Sequence, residues 1–216
     1  MEPMGSEMGR QRLKERLREV RTELILNVAE EVFEERGYHE TTMDEIAARC
    51  GVAKGTLYQH FPGGKDELIT ALFERHLEQF ARAVAQAQSA ASTARGRLRR
   101  ILEYVYLERS GLHARLLQLL TYGGDLRQAL KERLGPRLEP ISAAIRAILE
   151  QGQRNGEFRD TLSTDLLLQT FMHLLLFNKY QPVLEREQLS PESLVAQVAQ
   201  IFFDGIASET SGEERI

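Results

Sequence analysis

The sequence of 216 residues predicts an all-α protein, and three observations support this prediction. Apolar residues recur at helical spacing along almost the whole chain, and no segment shows the strict alternation of a half-buried strand. Glycine and proline residues divide the chain into segments of helical length. Serine or threonine stands before several of these segments, as at Thr42, Ser163 and Ser190, where a helix needs a side-chain cap.

The composition is that of a globular protein. Charged residues make up 28% of the chain and hydrophobic residues 42%, and the net charge is −4. A chain with this hydrophobic fraction is too apolar to be disordered. No apolar run approaches the roughly 18 residues of a membrane helix, and residues 1–14 lack the apolar run of a secretory signal. The single cysteine, Cys50, excludes an internal disulfide and a multi-cysteine zinc site. We therefore expect a cytoplasmic protein that does not contact a membrane.

A basic extension precedes the first apolar stripe. Residues 8–21 hold six cations against Glu15 and Glu19, so they predict either an arm that follows DNA or a solvated extension. The stripe has helical spacing with acidic residues on the opposite side, and Gly37 stands where a left-handed cap would end the helix. The stripe consists of Leu24, Ile25, Val28, Ala29, Val32 and Phe33.

Two short helices separated by a glycine turn come next. Thr42 and Glu45 fit a capping box, which predicts a helix from Thr42 to Cys50 with Cys50 on its buried side. After Gly51-Val52-Ala53, a second short helix is predicted over Lys54–Phe61. A helix, a short glycine-containing turn and a second helix form a helix-turn-helix, whose second helix enters the major groove of DNA.

The second of these helices has the composition of a DNA-recognition helix. Its spacing turns only Leu57 and Phe61 inward, and the segment contains no acidic residue. Its outward side chains are hydrogen-bond donors suited to phosphate oxygens or base edges, and Gly55 allows a DNA backbone to come close. The outward side chains are those of Lys54, Thr56, Tyr58, Gln59 and His60.

The rest of the chain predicts a helical body. A long helix covers residues 65–89, and later glycines and prolines mark further helices at 97–109, 112–121, 125–134, 137–153, 163–180 and 191–207. The helices at 163–180 and 191–207 are apolar over more than one face, so each must be covered on two sides. We expect a two-fold dimer that pairs these two helices, and an unusually deep monomer core is the alternative. The expected interface residues are Phe171, Leu175, Val198 and Phe202.

On these residues the chain resembles the TetR family of bacterial transcriptional regulators. The matching segments are Gly37-Tyr38, Thr41–Ala47, Gly51–Phe61 and Lys65–Leu68, while the turn Pro62-Gly63-Gly64 is one residue longer than the common form. The resemblance implies an N-terminal three-helix helix-turn-helix DNA-binding domain and a C-terminal helical ligand-binding and dimerisation domain. The expected boundaries are 1–20 for the basic extension, 21–66 for the DNA-binding domain and 67–216 for the second domain.

The resemblance also implies how the protein acts. The two heads of a homodimer would read a palindromic double-stranded DNA operator. A small apolar effector, of acyl or aromatic character, would displace the helix at 65–89 and release the operator. The protein is therefore expected to repress transcription and not to activate it. Phosphates would be bound by Thr42, Tyr58, His60 and Lys65. The candidates to contact base edges are Lys54, Thr56 and Gln59, and Gly55 would lie where the DNA backbone comes close to the helix.

An effector needs a cavity in the second domain. The candidates to line it are Phe80, Tyr104, Leu107, Leu116, Tyr122, Ile148, Phe171 and Met172. The five histidines form no pair at metal-ligand spacing, and no catalytic set or cofactor motif stands out, so we expect no metal, no cofactor and no enzyme activity. Two alternatives remain: a DNA-binding regulator controlled by a protein partner, and a helical enzyme or carrier with a vestigial head.

Overall fold

The computed structural model describes residues 4–108, 125–176 and 180–207. Within these ranges the chain is helical apart from turns and one isolated antiparallel bridge between Phe158 and Ala207, which confirms the all-α prediction. The chain divides into two compact units, Met1–Glu74 and Arg75–Ile216. The division falls inside a helix, C-terminal to the boundary predicted at residue 66.

The helices are numbered in chain order. The first unit contains α1 (Met4–Glu40), α2 (Met43–Cys50), α3 (Lys54–His60) and the start of α4 (Gly64–Ala90). The second unit contains the rest of α4, α5 (Ala94–Glu103), α6 (Tyr104–Glu108, a π-helical turn), α7 (Asp125–Arg154), α8 (Thr164–Leu174), α9 (Gln181–Glu187) and α10 (Pro191–Ile206). The helix predicted at 112–121 lies outside the described residues.

Helix α1 is longer than the sequence predicts. It starts at Met4, so the basic extension is helical and continuous with the helix that carries the first apolar stripe. The extension is exposed over residues 8–21, and Leu24, predicted on the buried stripe, is 59% exposed. Gly37 interrupts the helix as predicted, but its φ of 79° and ψ of 167° are not those of a left-handed cap; glycine adopts this conformation because it has no Cβ.

The sequence predicts two helices over residues 125–153, and the structure has one. Pro136 and Pro140 lie inside α7, although proline lacks the amide N–H of a helical hydrogen bond. Buried apolar residues continue one stripe on both sides of the prolines, and packing of that stripe outweighs the local breaking signal of Gly135-Pro136. The stripe consists of Leu130, Leu134, Ile141, Ile145, Ile148 and Leu149.

The predicted helix at 163–180 is shorter in the structure, because α8 ends at Leu174, and a further short helix, α9, begins at Gln181. The Tyr106 hydroxyl donates to the Leu174 carbonyl oxygen at 2.6 Å and so satisfies one of the carbonyls that the end of α8 leaves unpaired. Tyr106 lies fully buried on α6, and burial raises the pKa of its hydroxyl. In the helix predicted at 97–109, the described residues are α-helical only to Glu103 and π-helical from Tyr104 to Glu108.

Helix ends in the second unit are fixed by side chains. Ser163 and Ser190 cap α8 and α10 as predicted, each accepting a hydrogen bond from a backbone N–H in the first turn. The Glu157 carboxylate accepts hydrogen bonds from the backbone N–H groups of Ala94 and Arg95, at 3.0 and 3.1 Å, and thereby caps α5. One apolar cluster, drawn from α4, α5, α6, α7, α8 and α10, forms the core of this unit.

Candidate DNA-binding surface

The recognition helix α3 is held against α2 by the turn between them. Gly51 ends α2 in the left-handed conformation, with φ 67° and ψ 26°, and its N–H reaches the carbonyls of Ala47 and Ala48. Leu57 and Phe61 are 0% and 3% exposed, as their spacing predicts. Helix α2 packs against both α1 and α3. The turn and these two anchors therefore fix which side of α3 faces solvent.

Surface ion pairs fasten α2 to α1. The Thr42 hydroxyl oxygen accepts a hydrogen bond from the Glu45 N–H at 3.2 Å, which confirms the threonine half of the predicted capping box. The Glu45 carboxylate instead pairs with Arg36 of α1 at 2.8 Å and with Arg49 at 3.7 Å. Arg49 also donates to Glu35, and this hydrogen bond lowers the pKa of Glu35. Cys50, predicted to be buried, is only half-buried, and that burial raises its pKa.

Most of the predicted DNA contacts lie on one exposed surface. Thr42, Lys54, Gly55, Tyr58 and Gln59 are exposed, and Thr56 and His60 are half-buried. The Lys54 ammonium pairs with Asp44 at 2.6 Å, a hydrogen bond that raises the pKa of Lys54. Because the Lys54 and Asp44 side chains are 59% and 67% exposed, this pair can be exchanged for a DNA phosphate or base at little cost.

Gly55 differs from the glycines that the fold requires. Gly51 has a φ of 67°, which a residue with a Cβ adopts only under strain. Gly55 is not among the residues with positive φ, and a Cβ built on it meets no atom within 4 Å. Nothing in the described part of the chain therefore requires glycine at position 55, whereas close approach by an external backbone would.

His60 faces α1 as well as solvent. The Thr22 hydroxyl donates to the Arg18 carbonyl oxygen at 2.9 Å, so its oxygen accepts from His60 Nδ1–H, also at 2.9 Å. Burial lowers the pKa of His60, and the positive charges of Arg18 and Arg21 lower it further. At neutral pH the imidazole is therefore neutral, with the proton on Nδ1 and a bare Nε2.

Lys65 does not fit its predicted role as a phosphate ligand. Its ammonium donates to the carbonyl oxygens of Tyr38 at 2.8 Å, His39 at 3.2 Å and Thr41 at 2.9 Å. An ammonium has three hydrogens, so these carbonyls use all of them. Lys65 also lies 4.5 Å from the centroid of the Tyr38 ring, and the Tyr38 hydroxyl donates to Asp66. The motif residues at the start of α4 thus fasten it to the end of α1 and to Thr41, which follows α1.

The predicted effector residues lie mainly in the core of the second unit. Phe80, Ile148 and Phe171 are buried there, and Tyr104 and Met172 pack against the cluster. Leu107 is 41% exposed and so turns away from this core, while Leu116 and Tyr122 lie outside the described residues. These placements leave the pocket as a prediction.

A cleft of about 340 Å³ opens between α4 on one side and α5 with the start of α6 on the other. Of the predicted pocket residues, Tyr104 lines it, and the Tyr104 ring stacks on Phe80 with centroids 6.2 Å apart. Its walls are more polar than the sequence predicts. The lining residues are Gln79, Arg82, Ala83, Gln86, Ala87, Ala90, Arg100 and Tyr104.

The residues predicted for the dimer interface are core residues of a single chain. Phe171 is 0% exposed, and Leu175, Val198 and Phe202 are each 5% exposed. The rings of Phe171 and Phe202 contact each other, with centroids 5.4 Å apart. These four side chains therefore offer no surface to a second copy, and that part of the prediction is wrong.

Two other apolar side chains on the same helices are exposed. Leu166 on α8 is 62% exposed and Ile201 on α10 is 76% exposed. Sequence spacing did not separate them from their buried neighbours, because both helices are apolar over more than half of their circumference.

Among the described residues, no group of three or more His, Cys, Asp or Glu side chains is arranged to hold a metal ion. No helix in the described ranges is both long and apolar enough to span a membrane.

Comparison with known proteins agrees with this geometry. Residues 25–72, which include α2 and α3, match the family described as bacterial regulatory proteins, tetR family. The HTH-type transcriptional activator FasR of Mycolicibacterium smegmatis is 45% identical over 86 residues, which cover 40% of this chain and 39% of that protein. The chain thus matches well under two thirds of the length of FasR.

Two further matches extend beyond the helix-turn-helix. The fatty acid metabolism regulator protein of Bacillus subtilis is 29% identical over 150 residues, which cover 67% of this chain and 74% of that protein. The crystal structure of the transcriptional regulator FadR of Bacillus subtilis, in complex with stearoyl-CoA, matches with a TM-score of 0.68 and 25% identity. That match covers 85% of this chain and 98% of FadR, so the likeness in fold includes the second unit.

Proposed function

Because the chain belongs to the tetR family of bacterial regulatory proteins, we propose that it is a sequence-specific DNA-binding repressor that a small effector releases from a palindromic operator. The observation that carries the proposal is the outward face of α3, which has no acidic residue and presents donors beside a glycine that the fold itself does not need. The place of action is the cytoplasm, where the operator DNA lies.

The residues of α3 and α2 have separate roles in this proposal. Gln59, exposed in the middle of the surface, reads an adenine, and Lys54 leaves Asp44 to read a guanine. Thr56 contributes its methyl group to a thymine, as its half-buried position allows. Phosphates are bound by Thr42, Tyr58 and His60, which set the register of the head on the duplex without reading sequence. Lys65 is not part of this surface.

A palindromic operator requires two heads, and we propose that α8 and α10 of the second unit form the two-fold dimer interface. Helices α8 and α10 touch through Phe171 and Phe202, and each carries one large apolar side chain on its exposed side. Pairing Leu166 and Ile201 with their copies in a second chain would remove both from water. A two-fold interface uses the same patch on both chains, so one such surface is sufficient.

The effector class that best fits is an acyl-CoA. The support is the stearoyl-CoA bound by FadR of Bacillus subtilis, together with the two kinds of wall in the second unit of this chain. An acyl chain suits the apolar cluster around Phe80, and the phosphates of CoA suit Arg82 and Arg100 at the cleft. Tyr104 lines the cleft and stacks on Phe80, so it lies between these two walls.

Release requires that the effector favours one arrangement of the protein over another. Helix α4 is the element best placed to respond, since Phe80, Val84 and Ala87 belong to the core of the second unit. At its other end, Lys65 holds three carbonyls around the junction of α1 and α2. A shift of α4 would therefore displace the helix-turn-helix of each head and change the separation of the two recognition helices.

DNA binding by the purified chain tests the proposal. Duplexes selected from a random pool identify the operator, and fluorescence anisotropy then compares the wild type with Gln59→Ala. We expect Gln59→Ala to lose about 1–3 kcal/mol of discrimination at one base pair of each half-site. Binding without salt dependence or sequence preference would overturn the proposal and favour a helical enzyme or carrier.

Titration with acyl-CoA tests the effector. Stearoyl-CoA is expected to release the wild type from its operator, while free CoA and a short acyl-CoA serve as matched controls. Operator binding that no acyl-CoA changes would overturn the effector proposal and favour control by a protein partner. A reporter gene behind the operator gives the sign: repression is expected, and higher expression with the regulator present would show activation.

A further inference from the structure

The exposed first part of α1 is a cationic helix with an ordered surface. At 3.6 residues per turn, its side chains sort onto three sides of the helix. One side carries Arg10, Lys14, Arg18 and Arg21, and next to it lie Glu15, Glu19 and Glu23, which line a groove together with Arg18. On the other flank of the cationic side runs an apolar line, Leu13, Leu17, Val20 and Leu24, whose members are 58%, 51%, 57% and 59% exposed.

The cationic side is the one that lies beside the recognition helix. A surface groove of about 410 Å³ is lined by Lys14, Leu17, Arg18 and Arg21 from α1 and by Gln59 and His60 from α3. The hydrogen bond between Thr22 and His60, 2.9 Å long, fixes the two helices at this place. The positive charges of Arg18 and Arg21 are close enough to lower the pKa of His60, an effect second only to burial.

We propose that the cationic side of α1, formed by Arg10, Lys14, Arg18 and Arg21, is a second DNA-binding element that holds backbone phosphates next to the base pairs contacted by α3. This inference rests on the proposed function, since it extends the surface that α3 presents to DNA. From Arg10 to Arg21, the cationic side of α1 extends over eleven residues of helical rise, about 16 Å. A DNA duplex carries one charge per roughly 1.7 Å of its axis. Several phosphates therefore lie within its reach.

The helical form of the extension decides how it meets DNA. An extended arm could enter the minor groove, which is about 6 Å wide. A helix with its side chains is about 10–12 Å across, so α1 cannot enter that groove and meets the phosphates instead. Its contacts add affinity and salt dependence and leave base preference unchanged.

The charges beside the apolar line disfavour a parallel coiled coil with a second copy. In a parallel pair, Lys14, Arg16 and Arg21 would flank the seam formed by Leu13, Leu17 and the apolar residues that follow. Like charges at these flanking positions repel each other. The long apolar and cationic side chains together suit the sugar–phosphate backbone, where aliphatic stems pack and charged ends reach the phosphates.

Two matched variants test the inference. The stripe variant carries Lys14→Gln and Arg21→Gln, and the control carries Arg12→Gln and Arg16→Gln on the other side of α1, so each loses two positive charges. Anisotropy is measured on the operator over a range of salt concentrations. For the stripe variant, the slope of log affinity against log salt should be shallower by about 0.9 for each phosphate that the variant no longer neutralises. The control should keep the slope of the wild type.

A second measurement locates the phosphates. The operator is prepared as a duplex that ends at the outer edges of the half-sites and as a duplex with flanking base pairs. The wild type and the control should bind the longer duplex more tightly, and the stripe variant should benefit less from the added length. Equal slopes and equal benefits in both variants would overturn this inference while leaving the proposed function intact. A wild type that binds no duplex in a salt-dependent way would instead overturn the proposed function.

Discussion

The recognition helix and the α8–α10 pair leave different kinds of surface for a partner. On α3, Leu57 is buried and most of the polar side chains face solvent. On α8 and α10, ten residues between Leu167 and Ile206 are buried, and Leu166 and Ile201 are the large apolar side chains that remain exposed. The first surface is broad, polar and separate from the core. The second is narrow, and most of the apolar residues around it are needed for folding.

The largest effect is expected from charged residues placed in the core of the second unit. Val198→Glu with Phe202→Glu would place two carboxylates at positions that are each 5% exposed. A buried ion without a partner costs several kcal/mol, and a domain is stable by only about 5–15 kcal/mol. We expect the second unit to unfold, measured as a decrease in helical circular dichroism and the disappearance of a thermal transition. A well-folded double variant would mean that these residues are not core.

Moving the same charges to the exposed pair should give a smaller and different result. Leu166→Glu with Ile201→Glu changes side chains that are 62% and 76% exposed, so each protomer should remain folded. In the proposed dimer, four carboxylates would then face each other across the two-fold interface. Sedimentation is expected to report a monomer, and operator affinity should fall because one head makes half of the contacts. A stable dimer would place the interface elsewhere on the chain.

The contrast also explains how far the sequence could predict the site. The spacing of Leu57 and Phe61 was sufficient to orient α3, because a short helix with two apolar residues has one way to bury them. The role of Lys65 could not be predicted, since it depends on three backbone carbonyls brought together by the break at Gly37. The sequence alone does not distinguish a lysine that binds DNA from a lysine that holds a helix junction together.

The second unit was harder to predict for a physical reason. Helices that are apolar over most of their circumference carry no periodic signal that separates a core position from an interface position. The sequence therefore placed the dimer on α8 and α10 through Phe171 and Val198, which the fold buries, and did not single out Leu166 and Ile201, which the fold leaves exposed. The continuity of α7 through Pro136 was missed because a long buried stripe outweighs a local breaker.

A glycine pair sharpens the distinction between folding and binding within the first unit. Gly55→Ala should raise the free energy of unfolding by up to about 1 kcal/mol, because alanine is the better helix former and a Cβ there meets no atom within 4 Å. The same change should weaken operator binding, because the methyl group meets the approaching DNA. Gly51→Ala is the matched control: with a φ of 67° at this position, it should destabilise the fold. Unchanged affinity for Gly55→Ala would remove Gly55 from the DNA surface.

The smallest expected effect is a dependence of operator affinity on pH through His60. Burial and the nearby charges of Arg18 and Arg21 lower the pKa of His60 in the free protein below its ordinary value of about 6.5. A phosphate at Nε2 favours the imidazolium and raises that pKa, so DNA binding takes up a proton. Operator affinity should therefore increase as the pH falls from about 8 towards 6, and each head should take up at most one proton on binding.

The same shift has the opposite sign for folding. Because the pKa of His60 is lower in the folded chain than in the unfolded chain, its contribution to stability is present above about pH 6.5 and disappears as the pH falls below that value. Lower pH should thus tighten DNA binding while slightly weakening the fold. His60→Asn, whose amide can still donate to the Thr22 oxygen, should remove much of the pH dependence of operator affinity and keep the contact to α1. Anisotropy at several pH values compares the two proteins, and equal pH dependence would show that His60 does not meet a phosphate.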